Sequence, residues 1–172
     1  MRVIAGKARG MRLKVPPRAT RPSTDRLREA LFSILQVRLE DARVLDLFAG
    51  SGALGIEALS RGAKEAVFVE ASGAAGRILR ENLGKARLAG QGTVHQRDVF
   101  AYLGSCSAVF DLILADPPYA ASADDDLAGA LMKDAALPSR LSDGGLVVLE
   151  VEAEGEEPAA PGWKMIDRRQ YG

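Results

Sequence analysis

The chain is poor in the residues that staple small proteins or bind metals. Its 172 residues include one cysteine, Cys106, and one histidine, His95. A single cysteine forms no internal disulfide, and no Cys and His spacing matches a metal site, so no metal is expected. Cys106 reads as a small half-buried residue, and His95, inside a predicted strand, as structural. Long apolar runs are also missing, and Met1 is followed by Arg2, Lys7 and Arg9 with no signal-peptide core. Neither membrane insertion nor secretion is expected, and the default location is cytoplasmic. Net charge is absent too, with 23 basic residues against 23 acidic ones. What remains, 47% hydrophobic and 27% charged, is ordinary globular composition at a length that suits one domain.

The zero net charge hides an asymmetry. Between Met1 and Arg28 nine basic residues face a single acid, Asp25. These cations alternate with Val3, Ile4, Met11, Leu13 and Val15 and with Gly6 and Gly10, a pattern expected of a short β-hairpin with one packed face. Folded basic surface beside a larger domain suits contact with a polyanion backbone. The organisation expected is a hairpin extension over residues 1–22 and a main domain over 23–172.

The main domain alternates strands and helices. Leu27, Ala30, Leu31, Ile34 and Leu35 have helical spacing, with Thr24 or Asp25 placed to cap the helix. Strands are expected at Val44 to Phe48, Ala66 to Glu70, near 92–98, at Phe110 to Asp116 and over 144–151, with a possible sixth over 163–171. Helices are expected from the glycine-rich turn to about Gly62, over about Ala74 to Ala89, and from about Asp125 past Met132. The stretch 152–162 reads as an acidic surface loop. Such alternation implies an α/β fold with a mostly parallel, doubly wound, Rossmann-like sheet covered on both faces.

"FAGSGALG" places Gly50, Gly52 and Gly55 as G-x-G-x-x-G between a strand and a helix. That motif suits a dinucleotide pyrophosphate, and an NAD-dependent oxidoreductase is one reading. The same turn suits the methionyl and ribosyl parts of S-adenosyl-L-methionine, for which close backbone approach matters and no phosphate needs neutralising. Asp46, inside the first strand, would repel pyrophosphate, but it can hold the turn or meet a cationic ligand. Glu70, ending the second strand, can accept from ribose hydroxyls, and Asp98, after the third, from an adenine amine. Acids at successive carboxyl ends of strands define one crevice.

The fourth strand ends in "ADPPYA". Consecutive prolines lack N–H donors and stiffen the strand exit. An exocyclic base amine is a weak nucleophile because its lone pair is delocalised into the ring. If Asp116 accepts one N–H and the Pro117 carbonyl the other, the lone pair can be turned towards a methyl donor, while Tyr119 stacks on the base. A base drawn from its stack would be read in such a corner. No general base is needed before methyl attack, since the amine loses its proton as or after the bond forms. Phe48 and Trp163 read as core residues, and Arg168 and Arg169 as a solvated strand end.

"DPPY" resembles the (D/N/S)-P-P-(Y/F/W) motif of amino-group S-adenosylmethionine-dependent methyltransferases, and "LDLFAGSGALGIEALSRGA" resembles their cofactor motif. With "RVIAGKARGMRLKVP" and "RPSTDRLREALFSIL", the chain resembles more narrowly the RsmD family of bacterial 16S ribosomal RNA guanine-N2 methyltransferases, from Arg2 to about Val151. The resemblance implies cofactor residues Asp46, Gly50, Gly52, Glu70 and Asp98, and a catalytic corner of Asp116, Pro117 and Tyr119. It also implies RNA contacts from the basic residues Arg2, Lys7, Arg9, Arg12, Arg21 and Arg26. The implied partner is 16S ribosomal RNA within a small-subunit assembly particle. Alternatives are a DNA or other RNA amino-methyltransferase acting on adenine N6 or cytosine N4, and a non-catalytic RNA-binding module. Methyltransferases of this fold finish with a sixth strand and an antiparallel seventh. Only about one strand's worth of sequence follows Gly162, so the final strand is expected to be missing or replaced.

Overall fold

The computed structural model describes residues 1–17, 24–118, 126–152 and 158–171. Five strands form one parallel sheet: β1 (Arg43–Leu47), β2 (Glu65–Val69), β3 (Gly92–His95), β4 (Phe110–Ala115) and β5 (Leu141–Leu149), in the order β3-β2-β1-β4-β5. The helices are α1 (Asp25–Leu35), α2 (Ala53–Ser60), α3 (Gly73–Lys85), α4 (Val99–Ser105) and α5 (Leu127–Lys133). The chain winds outward from β1 to β3 and then returns to lay β4 against the other side of β1. The strand order therefore reverses between β1 and β4, the position where open α/β sheets bind ligands.

Side-chain alternation splits the core into two layers. Val44, Phe68 and Leu112 point to one face, where α1, α2 and α3 cover them with Phe32, Leu59 and Leu79. Leu45, Leu47, Val69 and Ile113 point to the other, beneath Tyr102 and Leu103 of α4 and Leu131 of α5. Trp163 packs on this second layer and donates from Nε1 to the Met132 carbonyl at 3.1 Å, so it is a core residue as expected. Thr24 caps α1, its Oγ1 accepting from Leu27 N at 3.2 Å.

Two points of the sequence reading need correction. Residues 163–171 form no sixth strand among the described residues, and the sheet ends at β5. Lys164, Met165 and Ile166 are exposed there and Trp163 is turned into the second core layer, which removes the alternating face a strand would need. The helix α4 escaped the sequence reading although Val99, Tyr102 and Leu103 have helical spacing. The basic hairpin forms as expected but is short: Arg2 and Arg12 make an antiparallel bridge, Leu13 N donates to the Met1 carbonyl at 3.1 Å, and Val3, Ala8 and Leu13 make its packed face. Val3 N donates to the Met11 carbonyl and Gly10 N to that of Val3, but the main domain takes the next donors. Ile4 N and Ala5 N donate to the Glu57 carboxylate at 2.8 and 3.0 Å, and Ala8 N donates to Ser60 Oγ at 2.9 Å. Gly6 sits so close that a Cβ there would lie 1.8 Å from the Ser60 carbonyl oxygen. No helix among the described residues is long and apolar enough to cross a membrane.

Glu57 is 1% exposed and also accepts from Arg61 Nε at 2.7 Å. Removing it leaves one guanidinium and two backbone donors without their acceptor. Glu57→Ala should therefore lower unfolding stability by about 3 kcal/mol, read as a lower urea midpoint at unchanged slope.

Candidate active site at the carboxyl edge of the sheet

The strand register decides which residues meet. Leu47 lies beside Val69 on one side and Ala115 on the other, and Ala115 beside Leu149. The next residues, Glu70, Phe48, Asp116 and Glu150, therefore stand in one row across β2, β1, β4 and β5. Neighbouring strands are about 4.8 Å apart, so two of the predicted acids, Glu70 and Asp116, flank the turn that leaves β1.

Asp46 lies two residues before Phe48 and is 1% exposed. Its Oδ2 accepts from Gly55 N at 2.8 Å, tying the strand to the first turn of α2. Burial pushes its carboxyl well above the usual range; the Gly55 bond opposes this, and the negative charges of Asp116 and Glu70 push further up. Asp46, Glu70 and Asp116 are thus one electrostatic unit. Among the described residues neither Asp46 nor Glu70 forms an ion pair.

The turn itself is strained and closely packed. Phe48, Gly50 and Gly52 all have left-handed backbones, with φ of 57°, 53° and 79°. Such geometry is costly for a non-glycine residue and collects at functional sites. The Phe48 ring turns to the second core layer, edge-on to Phe100 at 6.5 Å. A Cβ on Gly52 would lie 2.0 Å from Leu79 Cδ1, so a side chain there would have to displace Leu79 as well as adopt a left-handed backbone. At Gly50 the nearest atom to such a Cβ is 4.0 Å away, and the space in front of the turn is open. The Glu70 carboxylate spans this opening, accepting from Gly50 N at 2.8 Å and from Ser72 N at 2.7 Å. A carboxylate retains further lone pairs for hydroxyl donors.

Asp98 is exposed and accepts from Ala101 N at 2.9 Å as the N-cap of α4. Its capping chemistry followed by Val99, Tyr102 and Leu103 was the signal for that helix. Only one of its oxygens is used in the cap. Asp116 is half-buried, Pro117 buried and Pro118 exposed. Tyr119 and Arg21 lie outside the described residues. His95 is exposed at the end of β3, its ring 5.0 Å from that of Tyr102. Cys106 is half-buried, and its thiol lies 3.4 Å from the Tyr102 hydroxyl. Burial raises the Tyr102 phenol above its ordinary value, and the Cys106 contact adds to that. No cluster of His, Cys, Asp and Glu among the described residues is arranged to hold a metal ion.

The amino-terminal cations divide into two groups. Arg2 pairs with Asp25 at 3.1 Å, Lys14 with Glu81 at 2.5 Å, and Lys7 Nζ donates to Gln91 at 2.7 Å. Arg28 is fully buried and donates to the Arg2 carbonyl and to Asp25, while its Nε and Nη1 have no partner among the described residues. Burial lowers its guanidinium below the ordinary value, with Asp25 and Glu57 opposing. Arg9, Arg12 and Arg26 are exposed, and their side chains form no hydrogen bond or ion pair among the described residues. Three structural polar residues, Glu57, Asn82 and Arg28, went unnoticed in the sequence. Each is a polar side chain at a core-facing phase of a helix, a detectable signal.

Comparison with known proteins finds methyltransferases among the relatives of this chain. Ribosomal RNA small subunit methyltransferase D of Escherichia coli is 35% identical over 174 residues, covering all of this chain and 85% of that protein. The Haemophilus influenzae protein of the same name is 29% identical, with 100% and 89% covered. The solved yhhF structure from Escherichia coli superposes with a TM-score of 0.83 at 34% identity, covering 100% of this chain and 92% of that one. SMU.776, solved in complex with S-adenosylhomocysteine, shares the fold at 20% identity, with a TM-score of 0.60 over 71% of this chain and 35% of that one. The model of the family described as "Conserved hypothetical protein 95" matches residues 1–172, and the chain belongs to that family, the RsmD family.

Proposed function

We propose that the protein transfers a methyl group from S-adenosyl-L-methionine to the exocyclic N2 of a guanine in 16S ribosomal RNA, within a small-subunit assembly particle in the cytoplasm. The observation that carries this reading is the meeting of Asp46, Glu70 and Asp116 with a rigid Pro117–Pro118 corner at the point where the strand order reverses. The names of the relatives support the RNA substrate. Residues 1–22 serve as the RNA-gripping extension and 23–172 as the transfer domain.

The residues present fit the cofactor. Open space before Gly50 admits close approach, and buried Asp46, with acids on both sides, suits a cationic ligand better than a pyrophosphate. Asp46, Gly50, Gly52, Glu70 and Asp98 would hold it, and it would supply an electrophilic methyl group on a sulfonium. Asp116 and the Pro117 carbonyl would each accept a hydrogen bond from one amine N–H and so orient the nitrogen lone pair, with Tyr119 stacking on the base. Methyl transfer to that lone pair would release S-adenosylhomocysteine, and the Asp116 carboxylate, already facing the amine, would take the proton that the amine then sheds. Fixed orientation of this kind contributes several kcal/mol to catalysis.

Labelled S-adenosylmethionine should deliver methyl groups into ribosomal RNA or into 30S particles prepared without the modification, and nucleoside analysis should return N2-methylguanosine. Label in adenine, cytosine or DNA would overturn the base assignment, and thermal stabilisation by NAD instead of S-adenosylhomocysteine would favour the oxidoreductase. Asp116→Ala should reduce turnover by about 100-fold or more with S-adenosylhomocysteine affinity nearly unchanged; full activity in that variant would rule out the amine trap.

Two further outcomes follow from the electrostatics. Because the native carboxyl of Asp46 is raised above its unfolded value, the native state binds its proton more tightly. The apoprotein should therefore lose stability as pH rises from about 3.9 through the raised native value. Asp46→Asn, which keeps an acceptor for Gly55 N, should flatten that slope in urea titrations run at several pH values. Arg9→Ala and Arg12→Ala should each reduce the slope of log affinity for RNA against log salt by about 0.7 to 0.9, whereas Arg28→Ala should chiefly destabilise the fold.

A further inference from the structure

Two buried polar side chains of the main domain, Glu57 and Asn82, hold the amino-terminal segment, and Asn82 also reaches the glycine turn. Asn82 has no solvent exposure. Its Oδ1 accepts from Lys14 N at 2.9 Å, and its Nδ2 donates to the Lys14 carbonyl at 2.9 Å and to the Ser51 carbonyl at 2.9 Å. Both amide donors are consumed. Ser51 stands between Gly50 and Gly52, so the turn is held by Glu70 through Gly50 N and by Asn82 through the Ser51 carbonyl. A second contact joins the same parts: Ser51 Oγ lies 3.7 Å from the Met1 sulfur.

We propose that Asn82 is a positioning residue that couples the basic segment to the cofactor turn, so that RNA gripped by Arg9 and Arg12 and the cofactor bound at the turn each strengthen the other's binding. This rests on the function proposed above. The Lys14 pairing uses both its N–H and its C=O, so displacement of the segment must tilt the amide plane and carry the Ser51 carbonyl with it. The two left-handed glycines are where the backbone can follow. RNA held on the segment therefore restrains the turn through Asn82, and a restraint imposed by one ligand is a cost the other no longer bears. Linkage makes the effect equal in both directions. No other described side chain bonds to the backbone of both elements.

The test is S-adenosylhomocysteine affinity, measured by calorimetry with and without transcribed 16S ribosomal RNA, in the wild type and in Asn82→Ala. RNA should tighten wild-type binding by about fivefold or more, and the variant should show less than about a twofold effect while still binding both ligands. Equal coupling in the two proteins would overturn the proposal, as would no coupling in the wild type. Should Asn82→Ala fail to fold, hydrogen exchange on the wild type decides. RNA alone should slow exchange in residues 1–15 and also in residues 48–55, and protection confined to 1–15 would refute the link. Failure of the functional reading is separately visible, since RNA that neither binds nor accepts labelled methyl removes both claims.

Discussion

Val44 packs beside Leu112 and Leu47 beside Ala115, and everything at the carboxyl edge depends on this parallel pairing of β1 with β4. The side-chain period in a strand is two, so a slip of one residue would turn Leu112 and Leu114 out of one core layer and Ile113 out of the other. The hydrophobic pattern thus specifies the register, and the register specifies that Asp116 stands beside the turn leaving β1. Packing far below the crevice positions its chemistry.

The same pairing creates an electrostatic cost. Three carboxylates share a space, one of them buried completely, and the fold supplies Asp46 only a backbone N–H in return. Two other buried charges among the described residues have an ion-pair partner: Glu57 has Arg61 together with two backbone donors, and Arg28 has Asp25. That contrast separates polar groups that hold the structure together from those that leave free energy to be recovered on binding a cation. The left-handed Phe48 adds conformational strain at the same turn.

Much of this was legible in the sequence. Gly50, Gly52 and the strand exit at Pro117 and Pro118 carry their geometry locally, because left-handed turns and stiff strand exits need few residues, and the β/α alternation is periodic. The acids at strand ends were also visible, although Asp98 proved to cap a helix, a use that competes with ligand binding for the same lone pairs. What stayed hidden depends on long-range contact. Nothing near Glu57 in sequence announces that Ile4 and Ala5 will donate to it, and nothing near Asn82 points to Lys14, 68 residues away. The hairpin was legible, but not its docking: Ile4, Ala5 and Ala8 donate to acceptors on α2 that local pattern cannot show. The unrealised sixth strand reflects Trp163 leaving the alternation to fill the second core layer.

The mode of attachment of the basic segment has a practical consequence. Its exposed ion pairs, Arg2 with Asp25 and Lys14 with Glu81, are the kind that dissolved salt screens. Its anchors are different in kind: Glu57, Ser60 and Asn82 are buried and bond to backbone groups, and Val3, Ala8 and Leu13 sit in the core. Ionic strength can therefore be varied widely without peeling the segment from the domain. A salt titration on this protein reports the contact with the polyanion, undistorted by loosening of the surface that makes it.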